Sequence, residues 1–157
     1  MRLYHGTNII FDKIELTKCR PNKDFGRGFY LTDIKKQAMD MAIRRCELEK
    51  TGSPNVLEYE FDESLLSGGE LLIKNFDQVS IEWAEFILMN RKARGNKMHE
   101  YDIVIGPIAD DGVVLQLNLY QQHIITIEEL VARLTYRKLN NQYLFGSEKA
   151  ISKLTRI

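Results

Sequence analysis

Short runs of alternating or continuously apolar residues predict the strands of this chain, because side chains along a strand point alternately to its two faces. The runs are bounded by glycine, proline and polar residues that favour turns. The predicted strands are residues 2–5, 29–31, 56–61, 70–76, 101–105 and 141–145. We expect the first strand to end at Gly6 and the fifth to stop at Gly106-Pro107.

Apolar residues three and four positions apart predict helices. In the first helix, the stripe consists of Ala38, Met41, Ala42 and Cys46, and Thr32 or Asp33 is the expected cap. The other predicted helices are residues 80–90, capped by Ser80, a helix through 127–134, capped by Thr126, and a closing helix at 148–154. The stretch after Asp110-Asp111 fits either a helix or a strand, and the hydrophobic pattern does not decide between them.

These strands and helices do not alternate strictly, which favours an α+β fold. A chain of 157 residues, 44% hydrophobic and 28% charged, suits a single domain over residues 1–157. Its apolar runs are shorter than the roughly 18 residues of a membrane-spanning helix, so we expect no membrane association. The N-terminus shows no basic segment followed by an apolar one, which predicts a cytoplasmic protein.

The charged, cysteine and histidine residues limit the kinds of site. The 22 basic and 22 acidic residues cancel, which argues against tight nonspecific binding of nucleic acid. A basic excess in residues 1–50 fits both a phosphate-bearing ligand and solvated surface charge. Cys19 and Cys46 are expected to be reduced thiols. The spacing of His5, His99 and His123 is not that of metal ligands, so we expect no metal.

Three short segments carry the candidate chemistry. In residues 3–7, His5 ends a strand beside Gly6, which suits binding of a ribose hydroxyl and a planar amide, or a structural histidine. In residues 24–32, a glycine-rich turn precedes Tyr30, whose ring is either a stacking platform or a core residue. In residues 139–145, alternation puts Gln142 and Leu144 on one strand face, where Gln142 needs a hydrogen-bond partner from a ligand or from backbone.

In order and context, the three segments resemble the ADP-ribosyltransferase fold, in the branch related to diphtheria toxin and the poly(ADP-ribose) polymerases. Tyr4-His5-Gly6-Thr7 looks like its His-Gly-Ser/Thr motif, and Gly26-Arg27-Gly28-Phe29-Tyr30 looks like its Gly-Lys-Gly-Ile-Tyr motif. Asn141-Gln142-Tyr143-Leu144 looks like its Asn-Glu-Tyr-Ile stretch. Residues 2 to about 154 also resemble a bacterial family of uncharacterised small proteins, often encoded beside a small partner as in toxin–antitoxin pairs, with landmarks at Arg20-Pro21, Asn90-Arg91 and 101–107.

The resemblance implies split mixed and antiparallel sheets with flanking helices around a cleft that binds NAD as a substrate. By this resemblance His5 would bind the adenosine ribose, the Gly6 backbone the nicotinamide carboxamide, and Tyr30 the nicotinamide ring. Arg20 would contact the pyrophosphate. The implied cofactor-binding residues are His5, Gly6, Thr7, Arg20, Gly28, Tyr30 and Met41. The implied catalytic residues are His5, Tyr30 and Gln142.

Two departures from the family pattern limit the expected reaction. Met41 stands where the polymerases have a second stacking tyrosine, and Gln142 stands where they have a glutamate. Glutamine accepts a hydrogen bond but is no general base, so we expect transfer of single ADP-ribose units. Glu148 either substitutes for the missing carboxylate or is simply an acid at a helix N-terminus.

The sequence therefore predicts a mono-ADP-ribosyltransferase that modifies a macromolecular acceptor, either protein or nucleic acid, and is restrained by a small antitoxin protein. Two alternatives stay open. One is a catalytically inert module of the same fold that binds NAD, another nucleotide or a partner. Gln142 keeps this alternative open, because it lacks the carboxylate that the family has at this position. The other is an NAD glycohydrolase, in which water is the acceptor.

Overall fold

The computed structural model describes residues 1–135 and 139–157, which form an α+β arrangement of two sheets with helices packed against them. The strands are β1 (Arg2–Thr7), β2 (Phe29–Leu31), β3 (Asn55–Glu60), β4 (Ile73–Asn75), β5 (Ile103–Pro107), β6 (Asn141–Phe145) and β7 (Thr155–Arg156). The helices are α1 (Lys35–Glu49), α2 (Ile81–Arg91), α3 (Asp111–Gln121), α4 (Ile127–Thr135) and α5 (Glu148–Ile151), with 3₁₀ turns at Leu16–Lys18 and Glu63–Leu66. The predicted α+β class is confirmed.

The strands form two separate sheets. The three-stranded sheet has the order β1-β3-β7 and is antiparallel. The four-stranded sheet has the order β2-β6-β5-β4, with β4 parallel to β5 and the other pairs antiparallel. The sheets meet at one isolated pair, in which Tyr4 and Thr32 exchange N–H···O bonds of 2.7 and 2.9 Å.

Local capping residues begin several helices where the sequence predicts them. The Ser80 hydroxyl accepts from the Trp83 N–H at 3.1 Å, as expected for α2. Thr126 and Glu129 satisfy each other's backbone N–H groups in a reciprocal capping box before α4. The ambiguous stretch after residue 110 is a helix, because the Asp110 carboxylate accepts from the Val113 N–H at 2.9 Å.

Several predicted boundaries are wrong. β1 continues through Gly6 to Thr7, and β5 includes Gly106 and Pro107, because neighbouring strands pair with these residues. Helix α1 is not capped by Thr32 or Asp33: the Thr32 hydroxyl accepts from the Ile34 N–H, ahead of the helix.

Two further elements, β4 and α5, are shorter than expected. β4 covers only Ile73–Asn75 of the predicted residues 70–76. α5 ends at Ile151 rather than 154, because the chain then turns to pair β7 with β3.

Two hydrophobic clusters cover opposite faces of the four-stranded sheet. One contains Leu144 and Val104 with Trp83 of α2. The other contains Tyr143 and Phe145 with residues of the three-stranded sheet. The predicted alternation along β6 is therefore confirmed. Among the described residues, none of the helices combines the length and the hydropathy that crossing a bilayer requires.

Helix α1 approaches β1 unusually closely. Its buried residues are Ala38 and Ala42, whose small side chains let the helix backbone reach the strand. A Cβ atom on Gly6 would lie 1.9 Å from the carbonyl oxygen of Ala38. Met41, which the sequence places on the same stripe, is 54% exposed and lies off this contact. The packing of α1 on β1 therefore requires glycine at position 6.

We expect Gly6→Ala to lower the free energy of unfolding by about 3 kcal/mol, because the added methyl overlaps backbone that cannot move aside without shifting α1. Urea denaturation of both proteins measures this change. Gly68→Ala is the control, since a Cβ there meets nothing nearer than 3.3 Å. Equal losses for the two variants would contradict the close approach.

Candidate functional site

The two sheets separate directly after the Tyr4–Thr32 pair, and His5 is the cause. In an antiparallel ladder, the next paired groups would be the Gly6 N–H and the Tyr30 carbonyl. Instead, the Tyr30 carbonyl accepts from Nδ1 of His5 at 2.8 Å. The imidazole thus takes the place of a backbone donor, and β1 and β2 diverge beyond it.

This divergence leaves backbone groups of Gly6 facing the gap. Tyr4 directs its N–H and C=O toward Thr32, so alternation directs those of Gly6 to the same edge of β1. The same alternation keeps the Gly6 N–H out of the bonds between β1 and β3, and among the described residues it makes no bond to β2 or to a side chain. A planar amide could pair with such an edge as another strand would.

His5 is neutral at pH 7 and its tautomer is defined. Burial lowers its pKa from 6.5 to about 4, with a further decrease from the Arg45 charge, while the bond to the Tyr30 carbonyl acts in the opposite direction. The ring packs on Phe29, with 4.3 Å between ring centroids. Because a carbonyl only accepts, Nδ1 carries the proton and Nε2 is an acceptor.

Tyr30 holds the glycine-rich turn that precedes β2. Its hydroxyl donates to the Gly26 carbonyl at 2.8 Å and accepts from the Phe25 N–H at 2.9 Å. Burial raises the pKa of this hydroxyl well above its ordinary value. The ring also packs against the cluster that contains Leu144. Tyr30 is therefore a neutral, rigidly held residue that is largely buried.

Gln142 reaches a partner that the sequence analysis does not anticipate. Its Nε2 atom donates to Oδ2 of Asp24 at 3.3 Å, so the partner is a carboxylate rather than a backbone group. Oδ1 of the same carboxylate binds Arg91, with 2.8 Å to Nε and 2.6 Å to Nη2. Only the position of Asp24 beside the glycine-rich turn hinted at this role, because Arg91 is 67 positions away.

The neighbouring Asn90 side chain is buried at the same place. Its Nδ2 atom donates to the Phe86 carbonyl at 2.8 Å, which directs Oδ1 toward Gly26. That oxygen has no hydrogen-bond partner among the described residues.

The other predicted site residues lie outside this linked group. Arg20 pairs with Glu49 at 2.6 Å, and Glu49 also accepts from Arg45. The Thr7 hydroxyl donates to the Ile9 carbonyl at 3.0 Å. Gly28 packs closely against β6, since a Cβ there would lie 2.2 Å from the Leu144 side chain.

Glu148 is exposed in the first turn of α5, and Met41 is exposed on α1. Neither hydrogen-bonds to His5, Tyr30 or Gln142 in the described part of the chain. Two surface depressions also lie elsewhere, one beside Asn75 and Glu82 and one beside Met1 and Glu60.

The structure thus connects His5, Tyr30 and Gln142 through short contacts around one turn. It offers a neutral imidazole acceptor, a backbone edge and an amide, which suit hydroxyl and amide groups of a ligand. Within residues 1–135 and 139–157, no group of three or more His, Cys, Asp or Glu side chains could hold a metal ion.

We expect the stability of the protein to fall between pH 6.5 and 4. Over this range the unfolded chain protonates His5 while the folded chain does not, so the unfolded state gains up to about 3 kcal/mol. Urea titrations across this range measure the change.

His5→Gln, which keeps a donor for the Tyr30 carbonyl but does not titrate, is expected to reduce this dependence. His99, whose pKa is also lowered by burial, contributes equally to both proteins. An identical pH dependence of wild type and variant would contradict the buried, neutral state of His5.

Comparison with known proteins gives a family and no further relative. No curated protein and no solved structure matches the chain. One family model, described as "Protein of unknown function (DUF3990)", matches residues 1–155. Because this match spans nearly all of the 157 residues, the chain belongs to the DUF3990 family.

Proposed function

We propose that this protein is an NAD-dependent mono-ADP-ribosyltransferase with an ADP-ribosyltransferase-like fold. The observation that carries the proposal is the junction of the two sheets, where His5 separates β1 from β2 and leaves the Gly6 edge outside the ladder between them. The same junction holds Tyr30, and the turn before β2 connects it to Gln142. His5, Tyr30 and Gln142 follow one another along the chain in the same order as the ADP-ribosyltransferase motifs that they resemble.

The junction supplies groups that suit the two halves of NAD. Nε2 of neutral His5 accepts a hydrogen bond from a hydroxyl of the adenosine ribose. The N–H and C=O of Gly6 face one edge, as the donor and acceptor of a carboxamide require. A Cβ at Gly6 would displace α1, so glycine keeps the helix packed behind this edge.

Tyr30 would orient the nicotinamide ring by stacking. An aromatic pair contributes about 0.5–1.5 kcal/mol beyond the area it buries. The two hydrogen bonds of the Tyr30 hydroxyl fix the ring, so little side-chain entropy is lost on binding. Met41 is exposed on α1 and adds a flexible thioether contact. Arg20 contacts the pyrophosphate after exchanging Glu49 for phosphate oxygens.

The reaction cleaves the bond between nicotinamide and ribose, and an acceptor nucleophile attacks the exposed carbon. The residues of the junction contribute positioning rather than proton transfer. Gln142 accepts a hydrogen bond from a hydroxyl of the nicotinamide ribose but removes no proton from the acceptor. This limits the enzyme to single transfers and to acceptors that are already nucleophilic.

A second candidate is a binding module of the same fold without catalysis. Gln142 favours it, because this amide replaces a carboxylate and is already bonded to Asp24. A third, the NAD glycohydrolase, differs only in using water as the acceptor. One labelling experiment separates the three.

We expect the protein, incubated with NAD labelled in its adenylate half and with cell extract, to release nicotinamide and to label a macromolecule. Release without labelling would indicate a glycohydrolase. Saturable binding without release or labelling would indicate the inert module and contradict the proposed activity.

Substitutions at the junction should separate binding from turnover. Tyr30→Ala is expected to weaken NAD binding about tenfold and His5→Ala about fivefold, through loss of ring contact and of one hydrogen bond. Gln142→Ala is expected to reduce turnover about 100-fold with little effect on binding. Isothermal titration and nicotinamide release measure the two quantities.

Two variants of tyrosine control for folding. Tyr30→Phe keeps the ring but loses both hydroxyl bonds, so it should bind NAD more tightly than Tyr30→Ala and no more tightly than the wild type. Tyr120→Ala removes another half-buried tyrosine packed on the same cluster and should leave binding unchanged. Equal affinity of wild type, Tyr30→Ala and His5→Ala would contradict the proposed cleft.

We further propose that the enzyme is a toxin restrained by a small antitoxin protein. Expression of the wild-type chain in bacteria should slow growth, and Tyr30→Ala and Gln142→Ala should relieve the inhibition at equal protein levels. Growth curves with immunoblots measure this. The same growth rate with wild type and with both variants would contradict a toxic activity.

A further inference from the structure

The carboxylate of Asp24 holds three parts of the chain together beside the proposed site. It lies in the turn before β2 and binds Arg91 at the end of α2 and Gln142 on β6. The Asp24 and Arg91 side chains are only 16% and 25% exposed, so water screens this ion pair less than a surface pair. The three elements are thereby fixed relative to one another at one point.

This contact determines which atom of Gln142 is presented to a ligand. A carboxylate has acceptors only, so the NH2 group of the amide must face Asp24. Oε1 of Gln142 therefore points away from Asp24. Gln142 lies two residues from Leu144, which pairs with Tyr30, so Gln142 and Tyr30 occupy the same face of the sheet.

We propose that Asp24 is a positioning residue for Gln142, and that it supplies through the Gln142 amide part of the negative charge that a glutamine lacks. This inference rests on the proposed ADP-ribosyltransferase function. An amide that donates to a carboxylate becomes a stronger acceptor at its oxygen, because hydrogen bonds in a chain polarise one another. Oε1 then binds a ribose hydroxyl more tightly as positive charge develops on the sugar.

Arg91 has a separate part in this arrangement. Its guanidinium directs two N–H groups, those of Nε and Nη2, to Oδ1 of Asp24. Oδ2 is then available to accept from Gln142. The carboxylate consequently cannot rotate away from the amide without breaking the ion pair. If Asp24 acts through Gln142, a variant that exchanges the carboxylate at position 24 and the amide at position 142 should remain active. If Asp24 only held the turn in place, its ion pair with Arg91 alone would matter.

The test exchanges the two groups in the full-length chain and follows nicotinamide release, NAD affinity, thermal unfolding and the pH profile of turnover. Asp24→Asn is expected to lower turnover about tenfold or more without changing NAD affinity, since misplacement of a reacting group is costly. Gln142→Glu places two carboxylates together, which raises one of the two apparent pKa values of the pair and makes turnover increase with pH.

The double variant Asp24→Asn/Gln142→Glu restores one carboxylate and one amide and is expected to recover at least wild-type turnover without that added pH dependence. The control is Asp33→Asn. The carboxylate of Asp33 accepts a hydrogen bond from the Tyr143 hydroxyl at 3.3 Å and does not contact Gln142, so this variant should retain activity.

Each outcome decides between the two proposals. No nicotinamide release by the wild-type protein would overturn the proposed function and this inference with it. Release by the wild type, with equal turnover and pH profile for Asp24→Asn, would overturn the positioning role alone. So would a folded double variant as slow as Asp24→Asn. If Asp24→Asn does not fold, Asp24→Glu keeps the ion but shifts it, and wild-type turnover there would overturn the inference.

Discussion

The hydrogen bond from His5 to the Tyr30 carbonyl is the contact on which the arrangement of the two sheets depends. One imidazole N–H occupies the acceptor that the next backbone donor of β1 would otherwise use. The ladder between β1 and β2 therefore stops after one pair, and the chain forms two sheets instead of one. A side chain that terminates a ladder also leaves the backbone groups beyond it without their partners in that ladder.

The close packing of α1 keeps that edge in place. Ala38 and Ala42 let the helix approach the strand, and Gly6 has no side chain to obstruct it. The cost is a strand position that tolerates no Cβ atom. In return, α1 packs rigidly behind the gap between β1 and β2, and the backbone N–H and C=O of Gly6 are directed away from β3. Shape and chemistry at this place therefore depend on the same three small residues.

The turn before β2 joins this junction to the other half of the proposed site. Tyr30 holds the turn through two hydrogen bonds, and Asp24 at its start binds Arg91 and Gln142. A partly buried ion pair adds little net stability, because desolvation offsets much of the attraction between its charges, but the bonds of Asp24 join the turn to α2 and β6. The turn thus acts as a rigid connection between the sheet junction and β6.

The amino-acid sequence by itself determined the α+β class, the helices capped by Ser80 and Thr126, and the two faces of β6. These features depend on neighbours within a few positions, which is why periodicity and capping patterns reveal them. Only the tertiary structure decided that β1 continues past Gly6, that Arg20 pairs with Glu49, and that Gln142 binds Asp24. Asp24 and Gln142 are 118 positions apart, and no local pattern encodes a contact that forms only when separate strands, turns and helices pack together.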